Sequence, residues 1–211
     1  MRGKFFRPEN AKKIHPFSHE KNGFRGNFFV FSSKKSKGLT KQKNKGKIVE
    51  EDFKKSCQKQ DIWVHRIKDN QLSYMSDYHT SENPYDFIAF TNSTLYLIEC
   101  KCTNLNSLTV ARSKEEKNKM IKKHQIDSLW ADSRYDNVIG MFFIDFKTSN
   151  NTYLLSIDKF MGWYCLEDKK SISEKDIIAL NPIVVQKELK RTRYQYDIRL
   201  GFEQLNKQNN I

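Results

Sequence analysis

The chain has 211 residues, 37% hydrophobic and 30% charged, which is enough for one domain with a full core. It has neither a run of eighteen apolar residues nor a signal-peptide-like apolar segment, which argues against a membrane-spanning or secreted protein and predicts a cytoplasmic one. A net charge of +13 and four cysteines without paired zinc-type spacing favour a polyanionic partner over a disulfide-rich or zinc-binding scaffold.

Most of the positive charge lies in residues 1–47. This segment contains fourteen lysines or arginines and two acids, so its net charge is +12 and the remaining 164 residues are nearly neutral. Seven phenylalanines are interleaved with the basic residues. Cations neutralise phosphates and aromatic rings stack on unpaired bases, so the pattern predicts a DNA-binding arm over residues 1–46, followed by a folded domain over 47–211. A disordered solubilising tail is the alternative, although the aromatic cluster at 28–31 argues against complete disorder.

Two elements follow the arm. Residues 48–57 are predicted to form a helix because their apolar side chains recur every four positions. Glu50 and Glu51 lie in its first turn, where acids complement the helix dipole, and spacing alone does not show which of them has a further role. Residues 62–67 alternate like a β-strand, and the polar segment 68–83 connects this strand to the next element.

Residues 84–101 are predicted to form a β-hairpin that carries the candidate site. Two apolar runs rich in aromatic and β-branched residues flank a polar break at 92–93. If the loop is symmetric, residues pair when their numbers sum to 185, so Asp86 lies opposite Glu99, and Lys101 projects on the same face. Two opposed carboxylates repel each other unless a positive charge lies between them, and a hard divalent cation with oxygen ligands supplies that charge. The alternative is a solvated strand end with a Glu99–Lys101 surface pair.

A polar residue interrupts the next helical stripe. Residues 114–133 are predicted to form a long helix, with Ile121, Gln125 and Leu129 four residues apart on one face. A glutamine between two core positions has to satisfy its amide, so Gln125 is predicted to face a polar site. In the alternative, Gln125 is a boundary residue at the helix edge.

The C-terminal half completes the predicted fold. Two apolar runs, 137–144 and 152–157, predict strands buried on both faces. A small helix from about Ser173 and a C-terminal helix from Asp197 follow. The basic residues before the last helix either contact phosphates or are solvated; they are Lys187, Lys190, Arg191 and Arg193. Together these elements predict an α/β fold, a mixed central β-sheet of about five strands flanked by helices, with a basic N-terminal arm.

The order of short motifs along the chain resembles a known family. Pro84-Tyr85-Asp86 with Glu99-Cys100-Lys101 is similar to the PD-(D/E)xK nuclease signature, and the chain from about residue 44 onward resembles the RecU Holliday junction resolvases. The other matching motifs are Asn44-Lys45-Gly46 with Glu50, Thr103, His124-Gln125-Ile126, Lys170-Ser171-Ile172 and Arg193-Tyr194-x-Tyr196-Asp197. The resemblance implies a restriction-endonuclease-like fold and selects Glu50 over Glu51 as the helix-borne carboxylate.

This resemblance implies an Mg²⁺-dependent endonuclease, with Mn²⁺ able to substitute, that resolves four-way (Holliday) junctions in DNA recombination and repair as a homodimer. The implied catalytic residues are Asp86, Glu99, Lys101, Gln125 and Glu50, and the implied metal ligands are Asp86, Glu99 and Glu50. Contacts to branched DNA are expected from Lys41, Lys43, Lys45, Lys47, Arg66, Lys68, Thr103 and Arg193.

Two other functions stay open. One is a different PD-(D/E)xK endonuclease acting on branched or duplex DNA. It is favoured by the few basic residues in the segment 68–83, which corresponds to a junction-entering stalk in RecU-like enzymes. The other is a non-catalytic DNA-binding protein, which the complete set of Asp86, Glu99 and Lys101 disfavours.

Overall fold

A computed structural model of the chain describes residues 45–67 and 82–209. The predictions for the basic arm and for Lys41, Lys43 and Lys68 concern residues outside these ranges and stay predictions. Within the described ranges, no helix is both long and apolar enough to cross a lipid bilayer.

A mixed β-sheet forms the centre of the fold. The strands of the described residues are β1 (Trp63–Arg66), β2 (Phe87–Thr91), β3 (Thr94–Thr103), β4 (Ser107–Thr109), β5 (Val138–Phe146), β6 (Asn151–Ser156), β7 (Ser171–Ser173), β8 (Ile183–Val184), β9 (Lys187–Lys190) and β10 (Arg193–Tyr196). Six of them form the central sheet in the order β1-β2-β3-β5-β6-β8, in which β3 and β5 are parallel and the other pairs antiparallel. The remaining four form two short ladders, β4 with β7 and β9 with β10.

Helices cover both faces of this sheet. They are α1 (Lys45–Lys59), α2 (Lys123–Asp132), α3 (Ile157–Leu166), α4 (Glu174–Ala179) and α5 (Ile198–Gln208). One apolar core joins α1 and α5 to the sheet, and a second joins α2, α3 and α4 to its other face. Neighbouring side chains of β3 alternate between the two, since Ile98 lies in the first core and Leu97 in the second. The predicted α/β fold class is confirmed, with six strands in the sheet where about five were expected.

The β2–β3 hairpin has the predicted register. Paired residues run from Phe87 with Ile98 to Thr91 with Thr94, so their numbers sum to 185. The two loop residues, Asn92 and Ser93, have φ values of 50° and 61°. A tight turn with positive φ at both central positions matches the right-handed twist of the flanking strands, and this match sets the register.

The helix predicted over 114–133 is wrong in its first half, because α2 begins only at Lys123. Ile121 is buried, as the apolar stripe requires, but its backbone is extended and bridges Val110. Its N–H donates to Thr109 O at 2.9 Å and its carbonyl accepts from Ala111 N–H at 2.9 Å. The late start puts Gln125 in the first turn of α2, where the backbone N–H of Lys122 donates to its side-chain oxygen at 3.1 Å.

Candidate active site

The candidate site lies where β3 continues past the end of its neighbour β2. Pairing with β2 ends at Ile98, while β3 extends to Thr103, so the backbone edge of residues 99–103 is not covered by β2. Glu99 and Lys101 project from this extension on the same face. Lys101 Nζ lies 2.6 Å from Glu99 Oε1, and the two side chains are only 12% and 4% exposed. The pair is therefore buried, unlike the solvated surface pair that was the alternative prediction.

Asp86 joins this pair from the residue just before β2. Its Oδ2 accepts a hydrogen bond from the backbone N–H of Cys100 at 2.9 Å. Its own N–H donates to Ile98 O at 3.1 Å, so the regular ladder ends at Phe87 and Asp86 is not a ladder partner of Glu99. Burial raises the pKa of Asp86, the Cys100 N–H lowers it, and repulsion from Glu50 raises it further.

Gln125 binds both members of the buried pair. Its Nε2 donates to Glu99 Oε1 at 2.6 Å, and its Oε1 accepts from Lys101 Nζ at 3.0 Å. Because the N–H of Lys122 also donates to Oε1, the orientation of the amide is held by three hydrogen bonds. The structure thus places Gln125 against the polar site, and not at a solvated helix edge.

Like charges crowd this site. Burial raises the pKa of Glu99 to about 7; attraction to Lys101 lowers it, and repulsion from Asp86 and Glu50 raises it again. Glu99 is 3% exposed. Burying carboxylates together costs free energy unless a cation neutralises them, and Lys101 is one cation beside the two carboxylates of Asp86 and Glu99.

The structure distinguishes between the two helix carboxylates. Glu50 of α1 is the one whose charge acts on Asp86 and Glu99, whereas Glu51 pairs with Arg193 at 3.0 Å. Glu50 Oε2 accepts from Arg66 Nη2 at 2.7 Å and from Nε at 3.0 Å. Sequence reasoning missed this ion pair, and nothing in the local pattern around Arg66 indicates it.

Asp86, Glu99 and Glu50 are the potential ligands of a divalent cation. Among residues 45–67 and 82–209, no three or more His, Cys, Asp or Glu side chains are placed to hold a metal ion. Glu50 is bound by Arg66 in this structure, and its role as a third metal ligand beside Asp86 and Glu99 stays a prediction.

The pair Asp86 and Glu99 nevertheless fits such an ion. Both side chains supply hard oxygen ligands, and each repels the other. The described residues donate no hydrogen bond to Oδ1 of Asp86 or Oε2 of Glu99. Mg²⁺ is commonly bound by one or two carboxylates, with water and phosphate oxygens completing its shell.

The residues predicted to contact DNA differ in their exposure. Lys45 and Lys47 are exposed at the start of α1, with Lys45 Nζ donating to Asn104 Oδ1 at 3.2 Å. Thr103 is only 4% exposed, and its hydroxyl accepts from Leu105 N–H at 3.0 Å. That contact closes the turn after β3, so Thr103 shapes the backbone and presents little surface to a ligand.

Arg193 also has a structural role, and this role competes with its predicted DNA contact. Its guanidinium donates to Asp52 Oδ1 at 2.5 Å, to Glu51 Oε2 at 3.0 Å and to Ile48 O at 3.1 Å. Asp52 is 2% exposed. These bonds tie β10 to α1, the helix that carries Glu50.

We expect Mg²⁺ to raise the melting temperature of the protein more at pH 8 than at pH 6. A carboxylate must be deprotonated to bind a cation, and Glu99, with a pKa of about 7, is mostly ionised only at the higher pH. Without metal, by contrast, the protein is more stable at the lower pH. The folded state holds this proton more tightly than the unfolded chain between the ordinary value of 4.5 and about 7, so stability falls as pH rises through that window.

Thermal melts with and without Mg²⁺ at the two pH values measure both effects. Glu99→Gln should remove the pH dependence of the Mg²⁺ shift. Lys207→Gln, an exposed change in the last turn of α5, should leave it as in the wild type. An equal Mg²⁺ shift in wild type and Glu99→Gln would show that Glu99 is not a ligand.

No family model matches the chain. Over 136 residues the chain is 30% identical to the SPbeta prophage-derived uncharacterized protein YotM of Bacillus subtilis. The alignment covers 64% of this chain and 64% of YotM, so the chain spans less than two thirds of that relative. Among solved structures the chain is similar to Hjc, a Holliday junction resolvase of Archaeoglobus fulgidus, with 14% identity and a TM-score of 0.42 over 62% of this chain and 89% of Hjc.

Proposed function

We propose that this protein is a metal-dependent DNA endonuclease that hydrolyses phosphodiester bonds in four-way junctions. The observation that carries the proposal is the buried arrangement of Asp86, Glu99 and Lys101, with Gln125 bonded to the last two. Buried clusters of titratable groups with perturbed pKa values are typical of active sites, and burial raises the pKa of both Asp86 and Glu99. The choice of junctions as substrate is supported by the resemblance of the motif order to the RecU resolvases.

Asp86 and Glu99 would hold Mg²⁺ or Mn²⁺. When bound, such an ion polarises a phosphoryl oxygen and lowers the pKa of a bound water. Gln125 holds Oε1 of Glu99 and therefore fixes the direction of its second oxygen. Glu50 acts from the edge of the site, either by buttressing the pair or, after leaving Arg66, by joining it.

Lys101 has the position of a group that stabilises negative charge in the transition state. Its ammonium is held at the carboxylate pair by Glu99 and Gln125, so its charge is oriented before a substrate arrives. A charge fixed in a poorly hydrated site stabilises developing charge more than the same charge in water. Alternatively, Lys101 orients the attacking water, since an ammonium has three donors.

DNA as the substrate class is supported by the charge of the chain. Residues 1–47 carry a net charge of +12 and seven phenylalanines, which suits a phosphate backbone with unpaired bases. A homodimer would fit a junction, because two symmetrical cuts need two active sites related by a two-fold axis.

Cleavage of a synthetic mobile four-way junction beside a linear duplex of matching sequence, in Mg²⁺ and in EDTA, tests the proposal. We expect paired, symmetrical nicks in the junction that need the metal. Equal cutting of both substrates would make the protein a general endonuclease. Binding without cutting in Mg²⁺ and in Mn²⁺ would contradict catalysis and leave a DNA-binding protein.

A further inference from the structure

A second charged cluster lies on the opposite face of the sheet from Glu99. Asp145 of β5 is completely buried in a strand that is otherwise apolar there. Its Oδ1 accepts from Lys187 Nζ at 2.8 Å and from Thr152 Oγ1 at 3.0 Å, and its Oδ2 accepts from Lys147 Nζ and from the Tyr196 hydroxyl. Asp145 comes directly after the strand predicted over 137–144, and an acid at the end of such an apolar run is the sequence signal that could have indicated this cluster.

The cluster holds more positive charge than its buried acid needs. One carboxylate is neutralised by one lysine, yet Asp145 binds two, Lys147 and Lys187. Both ammonium groups also lie over the ring of Tyr194, at 5.1 Å and 4.7 Å from its centroid. The side chain of Lys187 is 6% exposed and that of Lys147 is 25% exposed, so the outer lysine can still reach a ligand.

Lys45 adds a third cation to the cluster around Asp145. The backbone N–H of Lys147 donates to Thr103 O at 2.9 Å, and Lys45 Nζ bonds Asn104, the next residue along the chain. The charges of Lys147, Lys45 and Lys187 all act on the thiol of Cys102, which pairs with Asp145 across the β3–β5 ladder. Three lysines therefore adjoin one point at the end of β3, with one buried acid among them.

This point lies beside the candidate active site along two elements. Thr103 is two residues beyond Lys101 in β3, about 7 Å along a strand. Lys45 is five residues before Glu50 in α1, again about 7.5 Å along the helix axis. Successive phosphates of one DNA strand advance about 3.4 Å along the duplex axis. These spacings run along the backbone; because the lysines lie on the opposite face of the sheet from Glu99, a DNA strand with one phosphate at Lys101 has to pass round the end of β3 to bring another phosphate to them.

We propose that Lys45 and Lys147, backed by the buried charge of Lys187, form a subsite for a backbone phosphate of the bound DNA strand, a role that rests on the proposed nuclease function. Asp145 and Tyr194 hold the ammonium groups of Lys147 and Lys187 in place, so little side-chain entropy is lost when the phosphate arrives. The subsite positions the strand and does not touch the reacting atoms. It contributes to affinity and register, independently of sequence.

Binding of a fluorescently labelled four-way junction by the full-length protein in EDTA tests the subsite without cleavage. We expect Lys147→Gln and Lys45→Gln each to weaken binding about three- to tenfold at low salt and to reduce the slope of log K against log salt by about one. Lys207→Gln is the matched control, because Lys207 is exposed and its neighbour Asn206 bonds Tyr96, near the other end of β3. It should bind as the wild type.

Melting temperatures separate this role from a purely structural one. Lys147→Gln should melt as the wild type, because Lys187 still neutralises Asp145. Affinities of Lys147→Gln and Lys45→Gln equal to that of Lys207→Gln would overturn the subsite. If Lys147→Gln proves unstable, the junction affinity of Lys45→Gln, a change at an exposed residue, tests the subsite by itself. A wild type that binds but never cuts, with both variants weakened, would refute the nuclease function and leave the phosphate subsite standing.

Discussion

Lys101→Ala should lower the rate of junction cleavage by about three orders of magnitude, the size of effect seen when a preorganised electrostatic group is removed from an active site. Two consequences of the change act together. The transition state loses a fixed positive charge, and Glu99 loses the cation that lowers its pKa, so less of it is ionised at neutral pH. Single-turnover cleavage in Mg²⁺ measures the rate, and binding in EDTA should weaken by no more than the about three- to tenfold expected for one phosphate contact.

Two comparisons make this result specific. Lys207→Ala removes an equally charged but exposed side chain in α5 and should cut at the wild-type rate. Raising the pH should restore little activity to Lys101→Ala, since ionising Glu99 does not replace the lost charge. Full cleavage by Lys101→Ala would remove this lysine from the catalytic set.

Arg193→Ala should lower the free energy of unfolding by about 3–5 kcal/mol, because it leaves the buried carboxylate of Asp52 without its cation. The same change removes the bonds from β10 to Glu51 and to the carbonyl of Ile48. Since α1 carries Glu50, loss of this tie should also reduce cleavage. Urea unfolding at neutral pH measures the change in stability.

A double variant tests whether the loss of stability comes from the unpaired carboxylate of Asp52. Adding Asp52→Asn to Arg193→Ala removes the unpaired charge and should restore part of the stability, while Lys55→Ala, an exposed change in α1, should be neutral. If Arg193→Ala instead weakens DNA binding with no loss of stability, the guanidinium contacts DNA as the sequence predicted.

Local patterns of the sequence were enough to predict the hairpin. The polar pair Asn92-Ser93 lies between two β-branched and aromatic runs, and its two positive φ values determine which residues pair. Once the register is known, alternation places Glu99 and Lys101 on one face. The position of α1 follows from apolar periodicity and that of β5 from a continuous apolar run, although the expected helix over 114–133 shows that periodicity alone does not locate a helix start.

Partners distant in sequence could be determined only from the tertiary structure. The sequence predicted a polar environment for Gln125, but the bonds to Glu99 and Lys101 depend on how α2 packs against β3. Arg193 and Asp52 are 141 residues apart, and Asp145 and Lys187 are 42 apart.

The physical reason is that hydrophobic periodicity and turn geometry are properties of a few consecutive residues. The choice between an ion pair, a phosphate contact and solvent is not local, because it depends on which charges the packed helices and strands bring within a few ångströms. The sequence by itself therefore determined the fold class, the register of the β2–β3 hairpin and the placement of Asp86 and Glu99 at its open end. Only the tertiary structure decided that Arg66 binds Glu50, that Arg193 supports α1, and that two lysines pair with the buried Asp145.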